Sequence, residues 1–179
     1  MDVQLAQVNI TRMRAPLSDP VMWGFVRRAA AVNVQAEAAP GFVWRIPDDS
    51  GTEAVFGPLI MANLSVWESL DALRAYLYSG LHLDAMKLRR NWFDSSGLAA
   101  HVALWWVPRG HLPTLQEGRA RLDLLAAHGP GPRAFTLDHP HPLPPPPDRT
   151  PLRPRPAPPR PAPRCAAPPR AALPRAALR

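Results

Sequence analysis

The chain has 179 residues, 25 of them proline, and no compact fold spreads that much proline evenly. Divided at Asp138, the first 138 residues carry 13 basic and 13 acidic side chains, whereas the last 41 carry 8 arginines against the single acid Asp148 and hold 16 of the prolines. The net charge of +7 therefore belongs to the tail, which excludes a basic nucleic-acid-binding domain, and the longest apolar run, Leu98 to Val107, is only 10 residues and contains His101, against the roughly 20 that span a bilayer.

The start, Met1-Asp2-Val3-Gln4, has neither the positive charge nor the apolar stretch of a secretory signal, and a cytoplasmic protein is expected. Gln4 to Ile10 alternates, with Ala6, Val8 and Ile10 on one side and Leu5, Gln7 and Asn9 on the other, which predicts a half-buried strand. Asp19-Pro20 offers an N-cap and a proline at the first helical position. Val21, Phe25, Ala29, Val32 and Ala36 then recur at helical steps and predict a helix to about Ala39. Pro40-Gly41 stops it. Phe42 to Ile46 reads as a short aromatic strand closed by the turn Pro47-Asp48-Asp49-Ser50-Gly51, and Leu59 to Trp67 as the second arm of the hairpin. In that arm Ile60, Ala62, Leu64 and Val66 share one face, and Met61, Asn63, Ser65 and Trp67 the other.

After Trp67 the period changes. Leu70, Leu73 and Leu77 mark a second helix, interrupted at Ser79-Gly80 and resumed with His82, Met86, Arg89 and Phe93 on one face. Leu98 to Val107 is the last and most apolar strand, expected to be buried on both faces. Thr114-Leu115-Gln116-Glu117 has the spacing of a capping box and opens a final helix ending near His128-Gly129-Pro130.

The order is strand, helix, strand, strand, helix, strand, with a C-terminal helix added. This is the α+β, split βαββαβ arrangement of ferredoxin-like folds, in which an antiparallel sheet carries two helices on one face. With Trp44, Trp67 and Trp105 read as sharing the other face, that face needs a cover, and a second copy of the chain is the expected lid; a homodimer follows.

From His139 the sequence turns to proline, arginine and alanine, and residues 139–179 are expected to form an extended, disordered tail outside a 1–138 domain. A polyanion-binding role, a polyproline ligand such as Pro151 to Pro154, and an inert extension compete for it. The inert reading is preferred, because seven arginines fall after Thr150 with no aromatic residue between them, giving charge without a stacking platform. The only cysteine, Cys165, lies in this tail, so neither an internal disulfide nor a cysteine-based metal site is expected.

No phosphate-binding glycine loop, Gly-x-Ser-x-Gly elbow, His-Glu-x-x-His or Cys-x-x-Cys occurs. What remains is a set of polar residues at strand positions and one histidine at a helix break. His82 shares an apolar stripe with Met86, and its plain alternative is a histidine satisfied by a neighbouring carbonyl. Asn9 sits among apolar residues, where an amide must find partners, and structural hydrogen bonding competes with a role in a site. Trp67 at the end of the third strand is either core or a ligand-stacking ring. Gln7, Asn63 and Ser65 add polar groups to the face of Asn9, and His101 and Trp105 are further ligand-binding candidates on the last strand.

Leu5-Ala6-Gln7-Val8-Asn9-Ile10, Ser65-Val66-Trp67-Glu68-Ser69 and Leu104-Trp105-Trp106-Val107-Pro108, followed by Gly110-His111-Leu112-Pro113-Thr114, resemble an uncharacterised bacterial domain-of-unknown-function family of the dimeric α/β-barrel superfamily. The resemblance covers about residues 3 to 138. It implies that two ferredoxin-like chains pair into a barrel, and it brings kinship with antibiotic-biosynthesis and haem-degrading monooxygenases. By resemblance to the haem-degrading group, His82 would ligate iron, Trp67 would distort a porphyrin and Asn9 would hydrogen-bond bound oxygen.

The resulting expectation is a protein whose cleft binds a small apolar or aromatic molecule. Neutral polar groups among aromatic ones suit such a ligand better than a charged one. Monooxygenase-like chemistry without a tightly held cofactor is expected, with haem binding as the sharper variant. The alternative is a non-catalytic ligand sensor or dimerisation module in which Asn9 and His82 are structural.

Overall fold

A computed structural model describes residues 2–48, 51–79, 87–94 and 97–143. The first strand, β1 (Val3–Met13), is the axis of the sheet. It pairs antiparallel with β3 (Ile60–Trp67) along one edge, and with β5 (Val102–Pro108) and the two-residue β4 (Phe93–Asp94) along the other. The hairpin partner β2 (Phe42–Arg45) completes the sheet outside β3, with a register shift between Phe42 and Trp44. The order β2-β3-β1-β5 is that of a ferredoxin-like α+β domain, as the strand and helix order predicts.

Asp19 caps the chain's first turn as expected, its carboxylate accepting from Val21 N, but the turn is a 3-10 helix, Pro20–Met22, and α1 (Trp23–Glu37) follows it. The consequence is a shift of the buried position from Val21, which is half exposed, to Met22, which is fully buried. Between β2 and β3 the expected simple turn contains one extra element, the short helix α2 (Thr52–Phe56). The second long helix, α3 (Leu70–Leu77), is capped by Ser69, whose hydroxyl accepts from Ala72 N. Phe93, expected on a helix face, instead pairs with Met13 in β4. The last helix, α4 (Leu115–His128), begins at Thr114, whose hydroxyl accepts from Glu117 N.

The side chains of β1 alternate between the two faces of the sheet, and each face carries a core. Leu5 lies with Trp67, Leu73, Tyr76, Leu104 and Phe135 on the side of α1 and α3. Ala6, Val8 and Ile10 lie with Leu64, Val66, Ala103 and Trp105 on the opposite side, where Leu115, Leu122 and Leu125 of α4 and Phe56 of α2 close over them. Gly118 lets α4 approach β1, since a Cβ there would stand 3.1 Å from Val8 Cγ2. The three tryptophans expected on one face are therefore divided: Trp67 faces α1 and α3, and Trp44 and Trp105 face α4. The cover expected from a second chain is supplied on this face by α4 and α2 of the same chain.

Glu117 holds that cover in place. The capping-box expectation is half met, because its carboxylate accepts from Trp105 Nε1 at 2.9 Å and contacts His111 Nε2 at 2.9 Å, while the Arg121 guanidinium lies 5.7 Å over the Trp105 ring. After α4 the chain turns back and bridges the outer edge of β5 through Leu104 and Phe135. It remains tied beyond Asp138, where the His141 carbonyl accepts from Trp106 Nε1 at 3.1 Å. Among the described residues no helix is long and apolar enough to cross a membrane.

Burial alone would raise the Glu117 carboxyl, but the hydrogen bonds from His111 and Trp105 and the charges of His111 and Arg121 outweigh it and hold the carboxyl below its ordinary value. Folded, the group binds fewer protons than unfolded, so its stabilisation is complete above about pH 5 and is lost as pH falls through the native value. Glu117→Gln is expected to be less stable than the parent at neutral pH, with the difference shrinking as pH falls towards about 3; urea denaturation at stepped pH measures it.

Candidate functional site

On the α1 and α3 side of the sheet the register places four neutral polar residues in a two-by-two array: Gln7 opposite Ser65 and Asn9 opposite Asn63. Directly opposed side chains are about 5 Å apart at Cβ. The array is graded by depth. Trp67 and Ser65 are buried, Gln7 and Asn9 are partly so, and Asn63 is exposed.

At the deep end the groups are bonded to one another. Trp67 Nε1 donates to Ser65 Oγ at 2.9 Å, and Ser65 Oγ donates to Gln7 Oε1 at 2.9 Å. The Trp67 ring is stacked on Tyr76, with centroids 5.1 Å apart, and meets Phe42 edge-on at 5.3 Å. Tyr76 Oη reaches the Val32 carbonyl of α1 at 3.5 Å, and burial pushes its hydroxyl up to about 12, so it stays protonated at physiological pH. A second aromatic group stands at the other end of α1. Phe25 meets Phe93 edge-on at 4.9 Å, Trp92 packs against Gly24, and Arg28 lies 5.7 Å over the Trp92 ring. The middle of β1, with Asn9, lies between these two aromatic blocks. The Asn9 amide makes no hydrogen bond with another described residue.

The expected site residues are thus only partly brought together. Gln7, Asn9, Asn63, Ser65 and Trp67 share one face. Trp105 is on the other face, buried and bonded to Glu117, so it does not join them. His101 is exposed ahead of β5, where its carbonyl accepts from Ile10 N. Trp67 is 1% exposed between Phe42 and Tyr76, which makes it the wall of the array rather than a surface that a ligand stacks on. That closed stack does not fit a porphyrin pressed against Trp67. His82, the expected iron ligand, lies outside the described residues.

Two residues were not singled out by the sequence. Tyr76 was legible only as one more position on the buried side of α3. Gln35 on α1 has an Oε1 that is buried without a hydrogen-bond partner among the described residues, a feature that periodicity cannot reveal. Among the described residues no group of three or more His, Cys, Asp or Glu is placed to hold a metal ion.

Fold and polar array together define a ferredoxin-like α+β domain with a neutral polar face beneath its paired helices. The chain belongs to the family described as Domain of unknown function (DUF3291), which it matches over residues 4–150. Among solved structures it is similar to SnoaB, a cofactor-independent oxygenase from Streptomyces nogalater, at 20% identity and a TM-score of 0.43, over 63% of this chain and 99% of that one. It is also similar to a protein of unknown function from Nitrosomonas europaea, at 15% identity and a TM-score of 0.43, over 63% and 97% of the two chains. No curated protein matches it.

Ser65 is donor and acceptor in one chain of bonds, so Ser65→Ala leaves both the Trp67 N–H and the Gln7 oxygen without their partner. A loss of about 1–3 kcal/mol is expected, measured by urea denaturation at pH 7, with Ser65→Thr, which keeps the hydroxyl, losing less.

Proposed function

We propose that the array beneath α1 is the floor of a ligand site, that its ligand is a small apolar or aromatic molecule, and that monooxygenase-like turnover of that molecule is the protein's activity. The observation that carries the reading is the Asn9 amide. It sits on the central strand between two aromatic blocks and, among the described residues, makes no hydrogen bond, so its donor and acceptor are available to a ligand. Neutral amides flanked by aromatic rings orient an uncharged polar substituent on an otherwise apolar molecule. Gln7 is held in one orientation by Ser65, and Ser65 by Trp67, so the floor is fixed in advance of binding.

The second reading is a non-catalytic ligand-sensing or dimerisation module. What favours it is that the deep half of the array satisfies itself internally, as a structural network does. A homodimer belongs to both readings. Its support is no longer a bare sheet face but the exposed apolar side of α1, where Trp23, Val26 and Val34 are each roughly half or more exposed.

Native mass spectrometry of the chain purified from cells reads subunit number and retained ligand together. The expected result is a dimer carrying a small-molecule mass that Asn9→Ala removes while the Tm stays unchanged. A ligand retained by Asn9→Ala refutes the array as its site, and an equal loss of Tm in that variant supports the structural role. Titration with haemin is expected to leave its Soret band at the position of free haemin.

A further inference from the structure

On the opposite side of the sheet, where α4 and α2 cover the second core, the cover is incomplete. A cavity of about 210 Å³ remains at the Ile10 end of β1. Its floor is apolar: Ile10, Ile60 and Leu122 are each at least nine-tenths buried, with Phe56 of α2 and Leu98 and Ala100 of the segment before β5 completing it. Charge is confined to the rim, which carries Arg12, Arg119 and Asp123.

The two guanidinium groups are held differently. Arg119 is fixed, since its Nη1 donates to the Val55 carbonyl of α2 at 2.6 Å and its Nε lies 3.8 Å from Asp123 Oδ2. Nη2 has no hydrogen bond among the described residues. Arg12 follows Ile10 on the same face of β1 and makes no ion pair or hydrogen bond among the described residues, although Asp94 stands opposite it in the β1–β4 register. Among the lining residues one carboxylate, Asp123, therefore stands against two guanidiniums, and it is engaged by Arg119, while Asp94 lies opposite Arg12 outside the lining.

We propose that this cavity is a second ligand site, separate from the polar array, and that it takes a small aromatic monocarboxylate. An apolar cavity of about 150 Å³ holds a benzene ring, so about 210 Å³ suits a ring with a short side chain. The ring lies on Ile10, Ile60 and Leu122, and the carboxylate meets Arg12 and Arg119 at the rim, where the planar fork of arginine matches two carboxylate oxygens. An uncharged molecule of equal shape would gain the floor and lose the pairing. The site shares no residue with the array and does not rest on the function proposed for it.

The test uses the full chain and two probes of the same shape, 3-phenylpropionate and 3-phenylpropanamide, in calorimetric titrations at low salt. The acid is expected to bind about 10-fold more tightly than the amide, with the preference shrinking at high salt because the rim is exposed. Arg12→Gln is expected to remove most of that preference and leave amide binding unchanged. Ala126→Trp, which adds a ring at an exposed lining position of α4, is expected to abolish binding of both probes. The titrations are repeated in the Asn9→Ala background, which removes binding of either probe at the array; the acid preference, its loss in Arg12→Gln and the effect of Ala126→Trp are expected to persist there. Melting temperatures of the variants confirm that they are folded. Equal binding of acid and amide, an acid preference that survives Arg12→Gln, or binding that survives Ala126→Trp overturns the proposal, as does the absence of binding up to about 1 mM.

Discussion

Everything in this domain is referred to β1, because that strand is hydrogen-bonded on both edges and covered on both faces. A strand so enclosed has no freedom to slip. A shift of one residue would send Val8 into the amide array and Asn9 under α4, exchanging an apolar contact for an unsatisfied amide on the side where Gly118 already touches Val8. The alternation Leu5, Gln7, Asn9 against Ala6, Val8, Ile10 is therefore the single pattern from which the polar face, the two cores and the seat of α4 all follow.

The two faces use polar groups in different ways. Beneath α1 and α3, Ser65 links an indole to a side-chain amide, and every bond is between uncharged groups, so that region needs little solvent to be stable. Beneath α4 the buried indole of Trp105 is paired with a carboxylate, which is in turn surrounded by His111 and Arg121 near the surface. A charged acceptor at this depth is tolerated because its second oxygen and its counter-ions reach the solvent edge. The neutral network suits a lining for apolar molecules. The charged one anchors a helix.

Much of this architecture was legible in the sequence, and what was not has identifiable causes. Period two in β1, β3 and β5, and the caps at Asp19 and Thr114, are local signals, and local signals place elements well. The division of the tryptophans is not local. Trp44 reaches the α4 side because the register shifts between Phe42 and Trp44, a displacement that only the pairing of β2 with β3 reveals. β4 is two residues long and carries no period at all, so Phe93 continued the helical stripe by accident. Thr114 and Glu117 have capping-box spacing, but the indole of Trp105, distant in sequence until β5 is in place, takes the carboxylate. For the site, the face shared by Gln7, Asn9, Asn63 and Ser65 was readable from alternation. The closure of Trp67 by Phe42 and Tyr76 required three elements to meet.

The return of the chain along β5 has a consequence for how the molecule behaves in a crowded solution. β5 is an outermost strand of the sheet and is made largely of apolar residues, Val102 to Val107, the kind of edge on which another polypeptide adds a strand and begins to aggregate. Here Phe135 donates to and accepts from Leu104, and the Trp106 indole is engaged by His141, so the edge is occupied by the chain itself. Cleavage in the Gly129-Pro130-Gly131 turn would free that segment and leave an apolar strand with open backbone groups. The residues after α4 thus guard the edge of the sheet while also filling its core with Phe135, so their loss would open an aggregation-prone edge and a core void together.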